Sequence, residues 1–182
     1  MRQMIEGARG RMLAGTGLFC ICILGLLFMR LLPLNGGLVS WPGPDLGLCL
    51  TFAWLLRRPA QVPALLIAAL FLLEDVMLYR PIGLWALIVL LGSESARLRE
   101  HRWREHPFMV EWLRVSILIG LMMLGYRIAQ VLVLLPVPAL GQVMLQYIAT
   151  VAAYPLVVVV ARWTLGLRRV SPADADKLGW SR

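Results

Sequence analysis

Long apolar runs, separated by prolines and short basic segments, most strongly limit how this chain can fold. Several of them approach or exceed the roughly 20 residues that a helix needs to cross a bilayer. Backbone N–H and C=O groups in lipid must be satisfied within the segment, so such runs favour helices. The 182 residues are 60% hydrophobic and only 15% charged, with a mean hydropathy of +0.77. We therefore predict an all-α membrane protein whose residues 1–182 form a single domain.

Proline, glycine and arginine clusters between the runs predict six transmembrane helices in one bundle. The predicted spans are residues 12–32, 38–56, 63–78, 82–96, 112–135 and 140–165. The apolar run from Leu46 is short, so we expect the second span to begin near Leu38, with Pro42 and Pro44 irregular near one interface. The first run is too long for a signal peptide and lacks a small-residue cleavage site before Pro33, which favours a retained helix.

The basic residues alternate between the two sides of the predicted bundle. One set of connections holds most of them, namely Arg2, Arg9, Arg11, Arg57, Arg58, Arg97, Arg99, Arg102, Arg104, Arg168, Arg169, Lys177 and Arg182. The opposite set holds only Arg30 and Arg80, while Arg114, Arg127 and Arg162 fall inside helices. The positive-inside rule then predicts that both termini are cytoplasmic, which requires an even number of spans.

The net charge of +8 raises the question of nucleic-acid binding, above all in the connection "RLREHRWREHPFMVEWLR". Its arginines alternate with Trp103, Phe108 and Trp112, and it lies between two predicted spans. Basic residues and tryptophans beside a span are typical of a segment that contacts lipid headgroups. We therefore expect contact with membrane lipids and no nucleic acid, with a cytoplasmic protein partner as the alternative.

The stretch "FLLEDVMLYRPIGLW" places Glu74 and Asp75 at the end of the third apolar run. At 1.5 Å per residue, Asp75 lies about 18 Å along a helix that begins near Pro63, and Arg127 lies about 22 Å along the fifth helix. Arg30, Arg80 and Asp45 lie at the same predicted outer ends. One layer of the membrane is therefore predicted to hold Arg30, Arg80, Arg127, Asp45, Glu74 and Asp75.

Charged residues in lipid tend to face the helix bundle and to pair. Three interpretations of the layer remain open: a structural set of salt bridges, a surface that binds a partner, and a proton or ion relay. Glu74 and Asp75 point about 100° apart on a helix, so we expect them to have different partners. Asp75 and Arg127 lie at similar depth, and we expect them to form an ion pair.

We find no catalytic, metal or cofactor motif. One family of CAAX-type intramembrane proteases uses paired glutamates, an arginine and membrane-embedded histidines. Here the pair is Glu74-Asp75, and both histidines, His101 and His106, lie in a connection on the predicted cytoplasmic side. A base at that side cannot reach acids in the outer third of the membrane. We therefore predict that the protein is not an enzyme and binds no cofactor or metal.

A polar stripe follows the sixth predicted helix, where Gln142, Gln146, Thr150 and Tyr154 recur every four residues. On a helix this spacing places them on one face. Polar side chains in a membrane usually face neighbouring helices, where they find hydrogen-bond partners. Packing within the bundle and a groove for a partner both remain open.

Two segments resemble the MreD family of rod shape-determining membrane proteins. "PDLGLCLTFAWLLRRP" is similar to that family's Pro-Asp/Asn start, aromatic-rich second span and basic-Pro exit. "LLEDVMLYRPIGLWAL" is similar to its Asp-containing third span and the Gly-Leu turn into the fourth. The positions that match are Pro44, Arg58, Pro59, Asp75 and Gly83. The family usually has a glycine four residues before the aspartate, where this chain has Phe71.

The resemblance implies a non-enzymatic scaffold in the bacterial inner membrane. Such a scaffold would bind MreC, and would link MreB filaments, directly or indirectly, to the glycosyltransferase RodA and its transpeptidase partner. The family is also similar in fold to the S-components of energy-coupling-factor transporters. That similarity supplies an alternative, a substrate-binding subunit for a vitamin-like small molecule.

Overall fold

A computed structural model describes residues 2–32, 43–99 and 107–164. These residues form six α-helices, which are α1 Arg2–Leu31, α2 Leu46–Leu55, α3 Ala64–Met77, α4 Leu84–Leu98, α5 Phe108–Leu132 and α6 Leu140–Thr164. A short 3-10 helix, Pro59–Gln61, joins α2 to α3. No strand occurs in the described ranges. The all-α prediction is therefore confirmed for this part of the chain.

Within the described residues, three helices are long and apolar enough to cross a membrane. They are the Met12–Leu31 part of α1, all of α5 and all of α6. The helix α1 begins ten residues before that apolar part, since it starts at Arg2. The helix α2 is apolar but has only 10 residues, and α3 and α4 have 14 and 15.

Some sequence predictions fall outside the described residues. They are the start of the second span near Leu38, the irregular Pro42, the connection that holds His101, Trp103 and His106, and the basic residues after Thr164.

The short helix α2 lies at the centre of the molecule. Every residue from Leu48 to Leu55 is buried, whereas the longer helices expose one apolar side. It contacts α1, α4 and α6, and the ring of Trp54 packs edge-on against Phe19 of α1 at 5.5 Å. A helix enclosed by protein on all sides has no lipid-facing side, which explains why its apolar residues show no helical periodicity.

The other helices pack around α2 in a continuous series. The helix α3 packs on α4, α4 on α5, α5 on α6 and α6 back on α2, while α1 contacts α2, α3 and the 3-10 helix. The outward faces of α1, α5 and α6 carry many exposed large apolar residues, such as Leu13, Leu121 and Trp163. A contiguous apolar exterior of this kind is expected of a protein in lipid and not of one in water.

A close approach fixes α1 against the 3-10 helix. A Cβ atom added to Gly15 would overlap the side chain of Gln61. The Thr16 hydroxyl donates a hydrogen bond to the Gln61 carbonyl at 2.8 Å, and the Gln61 side chain accepts one from the Trp54 indole at 3.0 Å. Gly15 therefore leaves room for the Gln61 side chain, which a larger residue at this position would displace from its hydrogen bond with Trp54.

Candidate functional site

We call the end of the molecule that holds Arg30, Glu74 and Arg80 the outer end and the opposite end the inner end, after the predicted orientation. At the outer end, Arg30 of α1 lies 2.8 Å from Glu74 of α3 and 3.5 Å from Asp45, which precedes α2. Arg80 also contacts Glu74, at 3.5 Å. These four residues, here named the outer charge set, join the ends of α1, α2 and α3.

Burial differs within the outer charge set. The side chains of Asp45 and Glu74 are 2% and 8% exposed, while those of Arg30 and Arg80 are 32% and 20% exposed. Asp45 also caps α2, because its side chain accepts a hydrogen bond from the N–H of Leu48 at 3.1 Å. The carboxylates are therefore fixed by the fold, and the guanidinium groups remain partly accessible.

Asp75 has a different role from its neighbour. Its carboxylate accepts hydrogen bonds from the N–H groups of Gly83 and Ala86, both at 3.1 Å, and so caps the start of α4. A carboxylate suits this position because the first N–H groups of a helix lack partners and carry partial positive charge. Gly83 has φ of +83°, a left-handed conformation that disfavours other residues.

The predicted ion pair between Asp75 and Arg127 is wrong. Asp75 binds backbone N–H groups of α4, and Arg127 donates a hydrogen bond to the carbonyl of Pro138 at 2.8 Å. Similar depth along two helices does not establish that their side chains are in contact. The unpaired N–H groups at the start of α4, which need a hydrogen-bond acceptor, carry no formal charge and so do not appear in the charge pattern of the sequence. The prediction that Glu74 and Asp75 have different partners agrees with the structure.

Arg127 borders a cavity of about 560 Å³ at the outer end, here named the outer cavity. The turn between α3 and α4, the start of α4, the outer parts of α5 and α6 and the connection between them form its walls. The polar residues that line it are Asp45, Tyr79, Arg80, Trp85, Tyr126, Arg127, Gln130 and Gln146. Met123, Val143, Leu135, Pro81, Pro136 and Pro138 supply its apolar lining.

A second cavity, of about 260 Å³, lies between α1, the start of α2 and the end of α3. We name it the α1 groove. Its apolar lining comes mainly from α1, including Ile23, Leu26 and Met29. Arg30, Asp45 and Glu74 lie at its polar end. The outer charge set therefore separates two cavities.

The predicted polar stripe of α6 divides into three environments. The Thr150 hydroxyl accepts a hydrogen bond from the N–H of Asp45 at 3.0 Å, and Tyr154 is fully buried at the inner end. Gln146 lines the outer cavity, and Gln142 is exposed. The inner half of the stripe packs within the protein, and the outer half borders open space.

The positions shared with the MreD pattern have local structural roles. Pro44 directly precedes the cap residue Asp45, and Arg58 and Pro59 begin the 3-10 helix. The carbonyl of Pro59 accepts a hydrogen bond from Arg97 of α4 at 3.0 Å. Phe71, at the position where the family has glycine, is fully buried in the core.

Sequence reasoning missed a closed polar cluster at the inner end. Arg57 lies 3.2 Å from Glu111 of α5, and the hydroxyl of Tyr154 donates a hydrogen bond to the same carboxylate at 2.7 Å. Arg57 also donates to the carbonyl of Ala53 at 2.9 Å. We name Arg57, Glu111 and Tyr154 the inner cluster. In the sequence, Arg57 serves only as a topology signal. The sign of a buried partner is Glu111, an acid in the first turn of the apolar helix α5.

The fold and these sites define a class: over its described residues the protein is all-helical, with three helices of membrane-spanning length and a polar cluster at each end. Comparison with protein-family models, with curated proteins and with solved structures gives no match. In the described part of the chain, no group of three His, Cys, Asp or Glu side chains is arranged to hold a metal ion.

Proposed function

We propose that this protein is a multi-pass scaffold of the bacterial inner membrane that binds MreC and has no enzymatic activity of its own. In this proposal all six helices lie within the membrane, with both termini in the cytoplasm. Three of the described helices, α1, α5 and α6, are long and apolar enough to cross a membrane. The shorter α2 fits the proposal because it is enclosed by protein. Non-helical backbone next to α2 can then lie at membrane depth without contact with lipid.

The observation that carries the proposal is the outer charge set beside the α1 groove. Arg30 keeps about a third of its side chain exposed, at 32%, while it bridges two buried acids. An apolar groove that ends in a partly exposed ion pair suits a transmembrane helix with a polar residue near its outer end. We propose that the single transmembrane helix of MreC lies in this groove.

The charge set would then fix the height of MreC in the membrane. Through MreC the protein would connect MreB filaments in the cytoplasm to RodA and its transpeptidase partner. Loss of the protein should make rod-shaped cells round. Most of the remaining exterior, on α1, α5 and α6, would contact lipid.

Site-specific photo-crosslinking tests the groove. Crosslinkers at Phe28 and Met29 of α1 and at Met77 of α3 should capture MreC, since these exposed residues flank the outer charge set. Matched crosslinkers at Leu121 of α5 and Ile148 of α6, which are equally apolar and exposed, should not. Equal capture from both faces, or from neither, would contradict the proposed groove.

Cysteine labelling tests the orientation. The three native cysteines would first be replaced, since Cys20, Cys22 and Cys49 are free thiols. An impermeant maleimide applied to intact cells should label a cysteine at Ala139 or Asn35 and should not label one at His101. Labelling at His101 would reverse the orientation.

The outer cavity supports one alternative, a substrate-binding subunit of a small-molecule transporter. Its volume of about 560 Å³ lies within the usual range of ligand pockets. A transporter subunit requires copurification with an ATPase-coupled membrane partner, whereas the scaffold requires copurification with MreC. Identification of the proteins that copurify in mild detergent therefore distinguishes the two functions.

A further inference from the structure

The outer cavity has more positive than negative charge in its walls. Arg80 and Arg127 both line it, and the one acid among its lining residues is Asp45. Asp45 is already engaged, because it caps α2 and lies 3.5 Å from Arg30, and Arg80 is partly balanced by Glu74 at 3.5 Å. The unbalanced positive charge in the walls is therefore mainly that of Arg127. Guanidinium groups bind carboxylate and phosphate through paired N–H donors, so this imbalance favours an anionic ligand.

Arg127 is the stronger sign of the two. Its hydrogen bond goes to the neutral carbonyl of Pro138, and no carboxylate of the described residues lies within ion-pair distance of it. A charge in or near a membrane is costly without a counter-ion. An anion in the cavity would supply the counter-ion that the protein itself does not.

Aromatic contacts connect Arg80 to Tyr126, the chain neighbour of Arg127 on α5. The guanidinium of Arg80 lies over the ring of Trp85, 5.7 Å from its centroid, and Tyr126 packs edge-on against Trp85 at 5.2 Å. The indole N–H of Trp85 is buried and has no acceptor among the described residues. These contacts hold the Arg80 guanidinium against Trp85 beside the cavity, and the unpartnered indole N–H is a buried donor that simple packing does not explain.

Two residues beside the cavity have an unfavourable backbone conformation: Tyr79, which lines it, and Leu134, which directly precedes the lining residue Leu135. Tyr79 has φ of +52° and Leu134 has φ of +55°. Each follows the end of a helix, α3 or α5, at the position where glycine is preferred, and the 6→1 hydrogen bonds Arg80 N to Asp75 O and Leu135 N to Gln130 O close the two turns. Both side chains are almost fully exposed, at 99% and 94%, so packing within the protein does not account for them.

A tyrosine and a leucine at strained, exposed positions favour contact of this side of the cavity with something outside the protein. Tyrosine is typical of the membrane interface, and leucine of the apolar region below it. The apolar lining from Leu135, Pro136 and Val143 continues this character into the cavity. The ligand should therefore be larger than an inorganic ion and partly apolar.

We propose that the outer cavity binds a phosphate monoester, with Arg127 and Arg80 as the phosphate ligands and Tyr79 at the rim. A phosphate group can come from a lipid headgroup or from a water-soluble phosphate ester, and the rim favours the lipid. This binding does not depend on MreC. Capture of MreC at the α1 groove is measured separately, so either proposal can fail alone.

The test uses the full chain in nanodiscs of phosphatidylcholine. Phosphatidic acid, which carries a phosphate monoester, is added in increasing amounts, and bound lipid is counted by native mass spectrometry. Arg127→Gln and Arg80→Gln should each weaken binding of one phosphatidic acid at least tenfold, while Arg127→Lys retains part of it. Arg162→Gln is the matched control, because Arg162 is an exposed arginine of α6 near the inner end, and it should bind as the unchanged protein does.

Tyr79→Gly separates the rim from general stability. The change relieves the left-handed strain, so the melting temperature of the empty protein should rise by roughly 2–4 °C. Affinity for phosphatidic acid should nevertheless fall severalfold. A loss of binding together with a gain of stability excludes unfolding as the cause.

Two arms identify the source of the phosphate. If glycerol 3-phosphate fails to displace phosphatidic acid, the ligand is a lipid; displacement at comparable concentration assigns the cavity to soluble phosphate esters. Phosphatidylcholine bound as tightly as phosphatidic acid would overturn the proposal. So would equal binding by Arg127→Gln and Arg162→Gln.

Discussion

The two ends of the molecule use the same kinds of residues in opposite ways. At the inner end, Arg57 and Glu111 have side chains that are 6% and 0% exposed, and Tyr154 completes the cluster with a hydrogen bond. At the outer end, Arg30 and Arg80 are 32% and 20% exposed, and two cavities adjoin them. The inner cluster is closed, and the outer charge set is open.

This difference separates structural from functional charge. A buried ion pair whose hydrogen bonds are satisfied internally has nothing left to offer a partner, but it is costly to break. An ion pair that is partly exposed contributes little to stability, and its groups can contact another molecule. Composition alone does not distinguish the two ends, since each contains arginine and glutamate. Enclosure by neighbouring helices does.

The largest loss of stability is expected from Glu111→Ala. The change leaves the Arg57 guanidinium buried without its counter-ion and removes the acceptor of the Tyr154 hydroxyl, and breaking such a pair typically costs about 3–5 kcal/mol. Unfolding in mixed detergent micelles measures the loss. Glu94→Ala is the control, because Glu94 pairs with Arg97 but is 38% exposed.

A double change sharpens this test. Arg57→Met combined with Glu111→Leu removes both charges and should be less damaging than Glu111→Ala alone. If the double variant loses as much unfolding free energy as Arg57→Met and Glu111→Leu lose when measured separately and added, Arg57 and Glu111 are not a coupled pair.

The next largest loss is expected from Asp75→Ala, at about 2–3 kcal/mol, because two N–H groups at the start of α4 lose their acceptor. Asp75→Asn should cost less, since its amide oxygen can still accept. The loss from Arg127→Gln should add to that of Asp75→Asn within roughly 0.5 kcal/mol, because the two residues share no partner. A clear departure from additivity in the unfolding free energies would restore the Asp75–Arg127 pair.

The sequence was most informative where one physical rule dominates. Apolar runs and their breakers predicted the all-α class, and the helix bounds for α3, α4 and α6 differ from the predicted spans by only a few residues. Four members of the predicted outer layer, Arg30, Asp45, Glu74 and Arg80, are in contact in the structure. Depth along a helix follows directly from residue number.

Partner choice could not be predicted in the same way. Depth does not say which helices are neighbours, and Asp75 binds backbone N–H groups that no charge pattern reveals. The inner cluster was hidden for a similar reason, because Arg57, just after α2, and Glu111, in the first turn of α5, lie 54 positions apart in the chain and meet only in the folded protein. Tertiary packing decides such contacts.

A smaller effect, about 1–3 kcal/mol, is expected from Gly15→Val. The added carbon atoms would meet the side chain of Gln61, which Trp54 holds in place. Gly17→Val is a matched control on the same helix, since a Cβ there meets nothing within 4 Å. The comparison cancels the common cost or gain of valine in a helix. Equal unfolding free energies for the two variants would show that α1 does not depend on this contact.

The smallest effect on stability is expected from Arg30→Gln, below about 1 kcal/mol, because the guanidinium is partly exposed. The same change should have the largest effect on binding, since Arg30 lies between the buried acids and the α1 groove. Crosslinking from Met29 to MreC should fall strongly, while the melting temperature changes little. Glu111→Ala should instead lower the melting temperature strongly and leave crosslinking from Met29 to MreC unchanged, when crosslinking is measured at a temperature where this variant remains folded. If Arg30→Gln lowers stability as much as Glu111→Ala does and leaves crosslinking intact, the outer charge set is as structural as the inner cluster, and the distinction between the two ends fails.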